Sequence, residues 1–302
     1  MRRLQQLETE RHLPRELTME ERRAKSFDGT IIAYQVFGSG TPLVVGNGVG
    51  VDWRGLGDFV DRLAGRRQLI LWDYRGTFRS GRPTEDGDLG PTVHGRDLEA
   101  VLDAEGIATP LDYLGWSMGA QVGFELLRLR PGTMRRFIVL SGTTGKPADS
   151  MLGLSHLGPA VRLALRLALR HHRMVNAVLR RAPDLPLFLE MMKRVGWVHP
   201  ECDEQTFMVM VRGVAATDKE IYLRCLLGLV DHDASDVAAT IDVPVLILAG
   251  DRDLATPLKM ARRMHAAIPS SELVVLPGCT HESVVEEPAL VGREVERFLA
   301  ED

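Results

Sequence analysis

The sequence predicts an α/β fold: a mostly parallel sheet of eight strands, helices on both faces, and a helical cap inserted between the sixth and seventh strands. Three observations predict it. Short apolar runs alternate with segments of helical spacing from Thr30 towards the C-terminus, the pattern of a parallel sheet covered on both faces. That rhythm stops between Lys146 and about Asp236, where Leu-, Met- and Arg-rich helical stretches carry no strand and are too long to be a loop. The run Leu111 to Trp116 closes on Gly115-Trp116-Ser117-Met118-Gly119 and passes at once into a helical pattern. Glycines on both sides of a serine, between strand and helix, allow a turn sharp enough to project the hydroxyl alone.

In chain order, residues 1–20 read as a charged extension with no chemistry assigned to it, since MRRLQQLETERHLPRELTME mixes both signs without an apolar centre. Ala24 to Phe27 and Thr30 to Phe37 flank Asp28-Gly29 and read as a hairpin. Pro42 to Val45 is apolar and ends in Gly46-Asn47-Gly48-Val49-Gly50; a helix around Leu56 to Leu63 follows. Gln68 to Trp72 closes on Asp73-Tyr74-Arg75-Gly76, and Thr92 to Glu105 has helical spacing with Leu98, Val101 and Leu102 apolar. Beyond the serine turn, Ala120 to Arg130 reads as a helix, and Phe137 to Leu140, Val243 to Leu248 and Leu273 to Leu276 as strands. The expected division is a core of residues 21–145 and 237–302 and a cap of residues 146–236. Within the cap, Val161 to Arg181 is expected as one basic helix, with Arg162, Arg166, Arg170 and Arg173 on one side and Leu163, Leu167, Met174 and Val178 towards another. Met191, Met192, Met208 and Met210 serve either as core or as an adaptable apolar lining.

Composition limits the partners. The chain has 302 residues, 45% of them hydrophobic, and a formal net charge of −4, which gives no global attraction to nucleic acid. The three cysteines, Cys202, Cys225 and Cys279, show neither metal spacing nor an even disulfide set, and a reducing cytoplasm is expected. No apolar run reaches the ~18 residues of a membrane span. A basic amphipathic helix can lie on an anionic membrane, but a solvated outer face is the preferred reading of the arginines. His171 and His172 have no third ligand nearby, and no metal or other cofactor is expected.

A serine hydroxyl needs a base within hydrogen-bond reach, itself oriented by an acid. In a parallel sheet the loops after different strands converge on one edge. After the seventh run comes Gly250-Asp251-Arg252-Asp253-Leu254-Ala255-Thr256-Pro257, and after the eighth Gly278-Cys279-Thr280-His281-Glu282. Their order, Ser then Asp then His, is the one that accompanies a nucleophile elbow. Asp251 and Asp253 both qualify as the acid on chemistry alone.

From about residue 24 to its end the chain resembles α/β-hydrolases of the cap-bearing esterase, lactonase and haloperoxidase-like group. The resemblance is carried by GWSMG at 115–119, GDRDLATP at 250–257, GCTH at 278–281 with the trailing Glu286 and Pro288, and DYRG at 73–76. It implies Ser117 as nucleophile, His281 as base, Asp253 as acid with Asp251 stabilising its loop, and the backbone N–H groups of Met118 and Val49 as oxyanion donors. Trp116 and Asn47 are expected to contact substrate. Two departures stand out: Asn47 where the group commonly has histidine, and Phe78 where relatives with a DxRGxGxS segment have glycine. Phe78 either alters its loop or lines the site, while Asp73, Arg75 and Ser80 are read as structural. The expected function is hydrolysis of a small, apolar carboxylic ester, thioester or lactone through an acyl-enzyme. Acyl transfer or C–C hydrolysis on the same residues, and a non-catalytic receptor or pseudoenzyme, are the alternatives.

Overall fold

The computed structural model describes residues 19–83, 87, 89–107, 110–149 and 157–300; most of the stretch expected as a charged extension, and His156 with its neighbours, lie outside them. Strands β1 (Met19–Lys25), β2 (Ile31–Phe37), β3 (Pro42–Gly46), β4 (Gln68–Trp72), β5 (Leu111–Trp116), β6 (Met134–Leu140), β7 (Val245–Gly250) and β8 (Ser271–Leu276) form one sheet in the order β1-β2-β4-β3-β5-β6-β7-β8. β1 and β2, and β2 and β4, pair antiparallel; all other neighbours are parallel.

Buried side chains alternate across the sheet, as a period of two requires. On β6, Phe137 and Val139 join one core and Ile138 and Leu140 the other. The first face is covered by α2 (Pro91–Glu105) and α3 (Met118–Leu129), through Leu98, Leu102, Val122 and Phe124. The second is covered by α1 (Asp58–Ala64) and the C-terminal helix Pro288–Ala300, through Phe59, Leu63, Val295 and Phe298.

Three expectations about local structure need correction. β1 starts at Met19, inside the stretch assigned to the extension, and ends at Lys25 rather than Phe27. Its Glu and Arg residues hid it from a search for apolar runs, because an edge strand facing water needs little apolarity. The helix expected from Leu56 is a 3-10 turn, Trp53–Leu56, and then α1, separated by Gly57 at φ 58°. The single basic helix is two, α4 (Gly158–Arg170) and α5 (His172–Leu179), broken at His171.

The insertion between β6 and β7 continues with α6 (Phe188–Arg194), α7 (Glu204–Ala216), α8 (Lys219–Asp231) and α9 (Ser235–Ala238). Asp203 and Asp218 cap α7 and α8 by accepting from N–H groups in the first turn. α10 (Leu258–Ala267), α11 (Ser283–Glu286) and α12, the C-terminal helix, complete the chain. No helix among the described residues is long and apolar enough to cross a membrane.

Candidate active site

Ser117 sits between β5 and α3 with φ 55° and ψ −118°. This is a sparsely populated conformation for a residue with a side chain, held only because its surroundings over-determine it. The flanking glycines contribute room rather than positive φ. A Cβ on Gly119 would stand 2.1 Å from the Gly46 carbonyl oxygen, and one on Gly115 would stand 2.5 Å from the Ala120 backbone. Ser117 N–H donates to Leu140 O at 3.0 Å, tying the turn to the neighbouring strand.

Three loop residues far apart in sequence meet here. His281 Nε2 lies 2.9 Å from Ser117 Oγ, and His281 Nδ1 lies 2.9 Å from Asp253 Oδ2. Asp253 Oδ1 accepts from the N–H groups of Ala255 and Thr256 at 2.8 and 2.7 Å, and Oδ2 accepts from Thr256 Oγ1 at 2.7 Å. Burial alone would raise this carboxyl, but the His281 ring and the Thr256 donors hold it below its ordinary value. Burial also works against a charged His281, yet the Asp253 carboxylate outweighs it and lifts the imidazole to about 9. Asp251 faces elsewhere: its Oδ1 accepts from Gly278 N–H at 2.8 Å, bridging the loops after β7 and β8.

The His281 loop is fastened on several sides. Trp116 Nε1 donates to the His281 carbonyl at 3.1 Å. Glu286 accepts from Thr280 N–H at 2.7 Å and Thr280 Oγ1 at 2.6 Å, and also from the N–H of His199 in the insertion at 2.7 Å. One carboxylate therefore joins the His281 loop to the insertion.

On the opposite side, Gly48 and Val49 line the same cavity as Ser117 and Met118. Asn47 is buried outside that lining, and its Oδ1 has no partner among the described residues. Its backbone carbonyl accepts from Tyr74 OH at 2.7 Å, so the loop is held by a phenol from the end of β4, the strand beside β3. Sequence reasoning passed over Tyr74, although its place in DYRG at the end of a neighbouring strand was the available signal. The rest of that segment is a buried scaffold. Arg75 pairs with Asp97 at 2.5 Å and Asp28 at 2.7 Å, and Ser80 Oγ donates to the Asp73 carbonyl at 2.6 Å. Phe78, at φ 42°, points its ring towards Gly213 of α7 and stays outside the cavity lining.

The cavity over Ser117 has a volume of about 440 Å³. Trp116 forms part of its floor, and the insertion supplies Phe188, Met192, Trp197, Phe207, Met210 and Tyr222. Of the four methionines, Met192 and Met210 line it, Met208 packs against the core and Met191 is exposed. Two polar residues that sequence reasoning missed also line it. Gln121, one turn into α3, is buried with neither amide atom partnered among the described residues. Glu282 is buried beside His281, and its carboxyl is pushed up to about 7 by burial.

A serine, a histidine and a buried carboxylate in one hydrogen-bonded row, at the carboxyl edge of such a sheet, define a protein of the α/β-hydrolase class. The model of the alpha/beta hydrolase fold family matches residues 45–288, and the chain belongs to that family. Its relatives include "Putative carbamate hydrolase RutD" of Azorhizobium caulinodans, 27% identical over 274 residues that cover 89% of this chain and 94% of RutD. Among solved structures, an esterase from Exiguobacterium antarcticum is similar with a TM-score of 0.76 at 20% identity, covering 93% of this chain and all of the esterase. The enol-lactonase from Burkholderia xenovorans is similar with a TM-score of 0.73 at 24% identity, again over 93% of this chain and all of that one. The protein is a hydrolase of this fold.

Proposed function

We propose that the chain is a serine hydrolase of small, apolar carboxylic esters, thioesters or lactones. The observation that carries this reading is the His281 ring bridging Ser117 Oγ and Asp253 at the floor of an apolar cavity. Neutral His281 takes the Ser117 proton as Oγ attacks the substrate carbonyl, and Asp253 stabilises the imidazolium that forms. The negative charge on the tetrahedral oxygen is met by the N–H groups of Met118, at the start of α3, and Val49. Collapse returns the proton from His281 to the departing alcohol, thiol or ring oxygen and leaves an acyl group on Ser117. His281 then removes a proton from water, which attacks the acyl carbonyl. A second tetrahedral oxygen forms and collapses, releasing the acid and restoring Ser117. The steps use these side chains, two amides and water.

In this reading the insertion is a cap that selects substrate, with Phe188, Met192 and Trp197 in contact with its apolar part. Trp116 forms the opposing wall, while Asn47 supports the oxyanion loop from behind. A fluorophosphonate probe and a panel of p-nitrophenyl esters of graded chain length test the proposal. Wild-type protein is expected to label at Ser117 and to turn over the shorter esters, with Ser117→Ala inert to both. Absence of labelling and of turnover in the wild type would sink the enzymatic reading and leave a receptor or pseudoenzyme.

A further inference from the structure

The outer surface of the insertion has a character unlike the rest of the chain. Between Leu157 and Trp197 there are eight Lys and Arg residues against two Asp and Glu within a chain of net −4; Arg162 and Lys193 pair with Asp231 and Glu204 outside that stretch, which leaves a net of four positive charges. Arg166, Arg170, Arg173, Arg180, Arg181 and Arg194 are all exposed. Between them stand large apolar side chains in water: Leu163, Leu167, Met174, Val178, Leu187 and Met191 are 49–72% exposed. The stripe that helical spacing assigned to the side away from the arginines does not pack inward. α4 touches α5, and α5 touches the short turn Ala182–Asp184 that in turn touches α6, so the elements that carry these side chains are neighbours on the surface. Soluble surfaces rarely expose apolar residues in such clusters without a partner.

The opposite side of the same helices faces the cavity. Val161 and Leu165 of α4, and Phe188 and Met192 of α6, line it. A surface groove lined by Leu185, Leu187, Met191 and Pro200 together with Glu190, Lys193 and Arg194 shares Phe188 with that cavity.

We propose that the outer face of α4, α5 and α6 docks on an anionic lipid bilayer. Leu, Met and Val side chains of this length enter the boundary between headgroups and acyl chains, while the interleaved guanidinium groups pair with lipid phosphates and carboxylates. The charge decides against a second copy of this chain. A two-fold interface sets the same patch against itself, and would oppose about four net positive charges with four more. Docking in this orientation brings the groove, and the Phe188 wall behind it, to the membrane surface. The proposal stands on the surface alone, so it survives or falls independently of the hydrolase reading.

Co-sedimentation of the full chain with vesicles tests it. The vesicles are phosphatidylcholine alone, or phosphatidylcholine with about 30% phosphatidylserine, at about 25 mM and about 500 mM NaCl, a change that shortens the Debye length from roughly 20 to roughly 4 Å. Wild type is expected to pellet with the anionic vesicles at low salt, at least ~10-fold less at high salt, and little with phosphatidylcholine. Two paired variants, Leu167→Asp with Met174→Asp and Arg170→Glu with Arg173→Glu, are each expected to lower the apparent affinity at least ~10-fold while melting within a few degrees of wild type. Equal binding to both vesicle types, no binding at low salt, or wild-type binding by either pair overturns the proposal. A dimer in light scattering that these substitutions dissociate, without vesicle binding, assigns the face to a second copy and overturns it too.

Discussion

The loops after β7 and β8 and the loop after β3 approach Ser117 from different strand ends and are built differently. The first two are dense with internal partners: Asp253 accepts from three donors besides His281, Asp251 ties one loop to the other, and Glu286 fixes Thr280. The β3 loop spans the cavity wall on glycines and one phenol, with Tyr74 OH on the Asn47 carbonyl and Val51 N–H on the Gly48 carbonyl. The difference teaches where precision is required. An imidazole must keep two hydrogen bonds in line at once, whereas a backbone donor needs only its peptide plane oriented, which a loop with few side chains can provide.

The largest effects are expected in the elbow and the densely tied loops. Ser117→Ala is expected to cost at least ~10³-fold in kcat, with substrate binding nearly unchanged, as removal of a nucleophile generally does. Steady-state kinetics with a residual-activity control check this. Asp253→Asn should cost on the order of 10³-fold, because it leaves the imidazole misoriented and its cation unsupported. It should also move the pH profile. Only neutral His281 can accept the serine proton, and Asp253 raises this group to about 9. In the wild type kcat/KM therefore rises with pH up to about 9 and then levels. In Asp253→Asn the limb shifts to lower pH, and an unmoved limb would mean that another group titrates.

On the sparse side the expected effects are smaller. Tyr74→Phe removes one hydrogen bond from a buried carbonyl, costing about 1–3 kcal/mol in stability, read by denaturant unfolding. If Val49 N–H is the donor, kcat falls by roughly 10-fold with KM little changed. Back in the densely tied loops, Asp251→Asn retains an acceptor for Gly278 N–H and should leave kcat within about 2-fold of wild type. This is the smallest effect, and a loss as large as that of Asp253→Asn would reverse the assignment of the acid.

Much of this architecture was legible because it depends on local pattern. Fully buried parallel strands such as Val245–Gly250 read as apolar runs, and a serine between crowding glycines at a strand end reads as a turn. What escaped depends on the third dimension. β1 is charged and recognised only by its partner strand. Tyr74, Gln121 and Glu282 gain their meaning from burial at the site, which no local pattern reveals. Nor does helical spacing say which face of α4 and α5 turns to water, since an apolar stripe looks the same whether it packs or waits for a partner.

Trp116 precedes the serine, walls the cavity and holds the His281 carbonyl through its indole N–H. One side chain thus touches both the cavity and the loop that carries His281. A change that enlarges the cavity at this wall also releases the loop that aims the imidazole. On the proposed function, substrate range is therefore freer to diversify through Phe188, Met192 and Trp197 than at Trp116, where any gain in room is coupled to a loosened His281 loop.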